Sequence, residues 1–198
     1  MADSKLTAGA AEGELRLEEL DDDQLMTLTR QGQVQAFRTL VRRHQGQAVA
    51  FGTRYLGQHA QAADAAQEAF VELFLSVPRY EPRGRFASYW HQILLNQCRM
   101  VVRSRQVASL ATTRLEALPP NEPLQAEAVL IAHQDQQAVQ RALEMLGEKL
   151  RAVVALRFAA GLSLQEIADT LEVPLGTVKS RLFAGLGELR EALRGSER

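Results

Sequence analysis

The chain has little of what builds a sheet, a disulfide scaffold or a membrane span. Its single cysteine, Cys98, cannot close an internal bridge, and no cysteine or histidine partner stands at metal-ligand spacing from it. His44, His59, His91 and His133 are scattered as well, so no metal or other cofactor is expected. Aromatic residues make up 6% of the 198, and no stretch alternates apolar and polar residues long enough to suggest a strand. Uninterrupted apolar runs fall well short of the roughly 20 residues that cross a bilayer. The first residues offer neither a basic patch nor an apolar signal core, so a cytoplasmic protein without direct membrane insertion is expected. Also missing are a Ser-His-Asp or Cys-His constellation and a phosphate-cradling glycine loop. No catalytic residue can therefore be nominated, and the chain reads as a non-enzyme.

What is present favours helix. Ala, Leu, Gln, Arg and Glu are abundant, and the length suits one large domain or two small ones, so an all-α fold is expected. A formal net charge of −1 hides an uneven distribution. Residues 1–24 hold eight acids against two bases, a net of −6, whereas residues 25–105 hold eleven bases against four acids, a net of +7. The remainder, with ten bases and twelve acids, is at −2. An acidic tail thus precedes a basic domain, and the overall isoelectric point says little about binding to nucleic acid.

Residues 1–22 show little periodicity and read as an acidic mobile tail. The run Asp21, Asp22, Asp23 then suits the positive end of a helix carrying Leu25, Met26 and Leu28, with Gly32 near its end. A second helix carries Ala36, Phe37, Leu40, Val41, Ala48, Phe51 and Tyr55 as far as Gly57. A third, His59 to Val77, turns Ala62, Ala65, Ala66, Ala69, Phe70, Leu73 and Phe74 inward, and spacing places Asp64, Gln67 and Glu68 together on another face. Pro78 to Gly84 is a loop bearing Arg79, Tyr80 and Arg83. The fourth helix, Arg85 to Arg105, mixes Phe86, Tyr89 and Trp90 with Asn96, Arg99, Arg103 and Arg105. Such a mixture fits a core helix with basic edges, or a surface where unpaired bases stack on rings while arginines hold the backbone. Residues 23–105 form the first domain. Over 106–127 the pattern fails at Pro119, Pro120, Asn121 and Pro123, which marks a linker. Residues 128–198 form a second helical domain, with amphipathic stretches at 128–146 and 148–160.

The end of that domain, LSLQEIADTLEVPLGTVKSRLFAGLGEL over 162–189, spells two helices joined by a tight turn. Ser163 with Glu166 makes a capping box, and Leu164, Ile167, Ala168 and Leu171 face a core. Pro174 and Gly176 are expected to break the first helix. The second buries Val178, Leu182, Leu186, Leu189 and Leu193, leaving Thr177, Lys179, Ser180, Arg181 and Phe183 outward. Hydrogen-bond donors, cations and one ring on an outward helix are the chemistry that reads a major groove.

The order of these parts resembles the extracytoplasmic-function group of bacterial sigma factors, across nearly all of residues 23–194. DAAQEAF at 64–70 is similar to the family's D-x-x-Q-E-x-F, and RFASYWHQILLNQCR at 85–99 to its F-x-x-W-L-x-x-I-A-x-N segment. AGLSLQEIADTLEVPLGTVKSRLFAGL resembles its G-L-S-Y-x-E-I-A and P-x-G-T-V-x-S-R pattern. The resemblance implies a factor that binds core RNA polymerase through Asp64, Gln67 and Glu68. It implies contact with the minus-10 element of promoter DNA through Tyr80, Phe86, Tyr89, Trp90, Asn96, Arg99 and Arg103. Thr177, Lys179, Ser180, Arg181 and Phe183 would approach the minus-35 element, and an anti-sigma factor is an implied partner. Tyr89 and Trp90 depart from the family's Trp-Leu, and Ala184, Leu186 and Gly187 stand where relatives carry polar groups. Gly185 and Gly187 should each weaken the last helix by roughly 1 kcal/mol relative to Ala. Two other readings use the same residues. One is a dimeric helix-turn-helix regulator that never joins polymerase, and the other is an interaction module that titrates an anti-sigma factor.

Overall fold

The computed structural model describes residues 17–111 and 137–196, and every regular element among them is helical. After a helical turn at 17–19 come α1 (Asp22–Arg30), α2 (Val34–Leu56) and α3 (His59–Ser76). A single 3-10 turn (Val77–Arg79) and an open loop lead into α4 (Phe86–Ala111). The second half holds α5 (described over 137–145), α6 (Glu148–Phe158), α7 (Leu164–Leu171) and α8 (Leu175–Ser196).

Local chemistry explains the boundaries. Asp21 caps α1: its carboxylate accepts from the Gln24 amide at 2.8 Å, and the Gln24 side chain accepts from the Asp21 amide at 2.9 Å. Gly57 ends α2 in the left-handed conformation, at φ 77°, which other residues rarely adopt. The Ser163–Glu166 capping box forms as read, and the Ser163 hydrogen bonds hold the Glu166 carboxyl below its usual range. Two boundaries differ. Helix α4 runs on to Ala111, through the start of the expected linker, because the prolines begin only at Pro119. Helix α7 stops at Glu172, which takes φ 53°, before Pro174; Gly176 sits inside the first turn of α8 rather than breaking anything. The acidic segment 1–16, the linker positions 112–127 and the stretch 128–136 lie outside the described residues.

Helices α1 to α4 wrap around Leu25, Leu40, Phe51, Tyr55, Leu73, Trp90 and Leu94, all buried. The second half is not a separate ball. Ile167, Ala168, Leu156 and Val178 continue the same core, because α7 packs on α4 and α6 on α2. Ser88 donates to the Glu166 carbonyl at 3.3 Å, and Thr170 donates to the Ser88 carbonyl at 3.4 Å. The Arg151 guanidinium stands 4.8 Å over the Tyr55 ring, and Gln92 donates to Glu172 at 2.9 Å. With these polar atoms paired across the seam, burying Ser88 and Thr170 carries little penalty.

Candidate nucleic-acid interface

Asp64, Gln67 and Glu68 all emerge on the exposed side of α3, opposite the buried Ala62, Ala65, Ala66 and Ala69. The same helix continues with exposed Val71, Phe74 and Leu75. Phe74 therefore departs from its inward assignment and rests edge-on against Phe37, with ring centroids 5.0 Å apart. The polar face is thus flanked by an apolar one.

The fourth helix divides the residues expected to meet unpaired bases. Tyr80, Phe86 and Trp90 are buried, at 7, 3 and 1% exposure, so these three rings pack inward instead of offering faces to bases. Trp90 stacks on Phe70 at 4.5 Å and Tyr80 meets Phe86 edge-on at 6.3 Å. The reason is the period of the helix: Phe86, Trp90 and Leu94 follow the same stripe as Ile93 and Cys98, whose thiol burial pushes up to about 12. Tyr89, Asn96 and Arg103 fall instead on the opposite stripe at intervals of seven. Asn96 and Arg103 are exposed and Tyr89 is half-buried. Arg99 lies beside them, donating to Asn96 at 3.5 Å. Of the expected set, then, Tyr89, Asn96, Arg99 and Arg103 come together as one polar, cationic edge.

Next to that edge stands the loop from Tyr80 to Arg85. Glu81, Pro82, Arg83, Gly84 and Arg85 are all exposed, and Arg83 pairs with Glu81. The loop is tied to α1. One carboxylate oxygen of Asp23 accepts from the Tyr80 hydroxyl at 2.8 Å, the Arg83 amide at 3.0 Å and the Gly84 amide at 3.3 Å. Burial and the Asp23 carboxylate push the Tyr80 phenol far above its usual range, so it stays a donor. Arg30, at the other end of α1, donates to the Tyr80 carbonyl at 3.3 Å. In the sequence Asp23 looks like a charge for the helix N-terminus; nothing local signals that it reaches across 60 positions.

On α8, Lys179, Ser180 and Phe183 are exposed while Thr177 and Arg181 are half-buried, around a fully buried Val178. Ser180 donates to the Thr177 carbonyl at 3.1 Å. Phe183, at 84% exposure, is the most open large apolar side chain among the described residues. Leu186 is 38% exposed rather than buried. Gly185 takes the inward position instead: a Cβ there would stand 2.9 Å from Val154 of α6, so this glycine permits a close helix crossing.

Two independent segments match known family models. Residues 40–107 match Sigma-70 region 2, and residues 136–189 match Sigma-70 region 4. In chain order these are the α2–α4 body and the helix-turn-helix half, together more than half the chain. Among relatives, an ECF RNA polymerase sigma factor, SigE of Mycolicibacterium smegmatis, is 36% identical over 160 residues, covering 78% of this chain and 60% of that protein. The ECF RNA polymerase sigma-E factor of Escherichia coli K12 is 29% identical over 174 residues, covering 84% of this chain and 91% of its own. Among solved structures, CnrH in complex with the cytosolic domain of CnrY shares the fold at a TM-score of 0.68 and 24% identity, over 88% of this chain and 97% of that one. The sigma factor RpoE of Bartonella quintana, in complex with the anti-sigma factor NepR, aligns at 0.62 and 22% identity, over 80% and 96%. The chain belongs to the sigma-70 family, in its extracytoplasmic-function group. Among the described residues no helix is long and apolar enough to cross a membrane.

Proposed function

We propose that this sigma factor binds core RNA polymerase, directs it to a two-part promoter and helps hold the strands apart so that transcription starts. Asp64, Gln67 and Glu68 would meet basic groups of the core enzyme, with Val71, Phe74 and Leu75 extending that contact. Tyr89, Asn96, Arg99 and Arg103, with the loop from Tyr80 to Arg85, would engage the minus-10 element. Buried Tyr80, Phe86 and Trp90 would support this edge from behind. Thr177, Lys179, Ser180, Arg181 and Phe183 would approach the minus-35 element. The nucleotidyl transfer itself belongs to the core enzyme.

The observation that carries this reading is the pairing, in one chain and in the family's order, of a region 2 body with an exposed cationic edge and a region 4 helix-turn-helix. A dimeric regulator accounts for the second alone. An anti-sigma factor is the further partner we propose, and it would compete with polymerase for the α3 face. Run-off transcription tests the whole: core polymerase with this chain should initiate at a defined start on its own promoter, and core alone should not. A chain that binds such DNA without recruiting core would instead be a regulator, and one that binds neither would be a titrating module.

A further inference from the structure

We propose that Asp23 is the positioning residue that fixes the Tyr80–Arg85 loop in the shape that reads a minus-10 base. This rests on the promoter-reading assignment of the neighbouring α4 edge. The loop has no regular structure and five consecutive exposed residues, so by itself it would sample many conformations. A reader of one base cannot do that, because every polar contact it makes must already be aimed. Asp23 supplies the aim. Its oxygen gathers one side-chain donor and two backbone donors from the loop, at 2.8, 3.0 and 3.3 Å.

Two details make this more than a generic cap. The backbone amides of Arg83 and Gly84 turn inward onto the carboxylate, where the positive φ of Gly84, 67°, is a conformation that other residues rarely adopt. The side chains of Arg83 and Arg85 are left on the outside. Arg30 holds the Tyr80 carbonyl at the loop's near end. Helix α1 thus grips the loop at both ends, while its own Leu25 and Met26 are locked in the core. Asp23 touches no base. It acts through the backbone it orients, and charge-assisted hydrogen bonds from a fixed helix suit that task.

The test uses the full chain with core polymerase, comparing wild type with Asp23→Ala and with Asp23→Asn, which retains an acceptor but not the charge. Trypsin reports on the loop through its exposed Arg83 and Arg85. Transcription is measured from templates whose minus-10 region is already unpaired, with each non-template base replaced in turn. For Asp23→Ala, cleavage in the loop should quicken about tenfold, and preference for the best base over the next should fall about tenfold, the scale of one well-placed polar contact. Asp23→Asn should move both in the same direction by less. Core binding should stay near wild type and the thermal midpoint should fall by only the few degrees that the unpaired Tyr80 hydroxyl costs, with the unfolding transition still cooperative, which separates positioning from a general loss of fold. Cleavage unchanged in both variants would overturn the proposal, as would a loosened loop with base preference intact. If wild type itself initiates nowhere while the loop loosens as expected, the promoter-reading assignment fails and the inference falls with it.

Discussion

The guanidinium of Arg99 lies 2.8 Å from the carboxylate of Glu148, a contact between the α4 edge proposed to face DNA and the first turn of α6 in the other half of the chain. The approach is off the hydrogen-bonding line, since the Arg99 Nε finds no aligned acceptor. Gln92 to Glu172 and Ser88 to Glu166 and Thr170 join the same seam. Its geometry conflicts with promoter engagement. Eight helical residues separate Ser88 from Asn96, about 12 Å, and the thirteen from Glu166 to Lys179 span at most about 47 Å even if extended. Elements centred at minus-10 and minus-35 are about 25 base pairs apart, roughly 85 Å of duplex. If both elements are held as proposed, the halves must first separate.

Glu148→Gln should ease that separation. Glu148 is half exposed and the approach is poorly aligned, so the pair contributes at most about 1 kcal/mol and the closed population should fall by no more than about fivefold. Energy transfer between dyes on the two halves of the free protein should decrease in the variant, and added salt should reduce the difference. Equal transfer in both proteins at low salt would show that the ion pair does not hold the halves together.

Asn96→Ala should lower initiation by weakening minus-10 discrimination while core binding stays intact. Asn96 is exposed and buries nothing, so the fold should not suffer. A lost base contact is worth about 1–3 kcal/mol of discrimination. Unchanged transcription from duplex and pre-melted templates alike would remove Asn96 from the reading edge.

Helix α4 shows what was legible in the sequence. Helical periodicity is local, so it marked α1 to α3, the start of α4 and the Ser163 cap. It also should have warned that Phe86 and Trp90 share a stripe with Leu94, and that aromatic residues on such a stripe belong inside. Long-range matters stayed hidden. Neither the reach of Asp23 to Gly84 nor the docking of α7 on Ser88 leaves any periodic trace, because each depends on where two distant elements meet.

Reversing charge with Asp64→Lys and Glu68→Lys should abolish association with core polymerase. Both side chains are exposed on α3, away from the alanine seam, so helicity and thermal midpoint should hold. Co-purification with core at wild-type level would place the contact elsewhere on the surface.

Gly185 and Gly187 should respond in opposite ways to alanine. Each gains about 1 kcal/mol of helix propensity from the change. At Gly187 nothing lies within 4 Å of the new methyl, so Gly187→Ala should raise stability by about that amount. At Gly185 the methyl would stand 2.9 Å from Val154 and 3.5 Å from Leu150, and Val154 is itself buried with no room to yield. Overpacking costs about 1–3 kcal/mol, so Gly185→Ala should be neutral to destabilising by about 2 kcal/mol. Urea unfolding of the two variants side by side checks the contrast.

Acidification should loosen the fold through His91. Burial lowers its pKa despite the hydrogen bond with the Ala87 carbonyl at 2.8 Å, and His44 adds repulsion while Glu166 offsets a little. A base whose folded pKa is depressed is neutral in the folded protein when the unfolded chain has already begun to protonate. Stability is therefore fully present above about pH 6.5 and declines as pH falls below it, until the folded pKa is passed. One proton limits the slope to about 1.4 kcal/mol per pH unit. His91→Gln removes this proton from the balance between the folded and unfolded chain. Urea midpoints measured from pH 7.5 down to 5.5 should fall more steeply for wild type than for the variant. Parallel slopes would show that some other group governs the acid sensitivity.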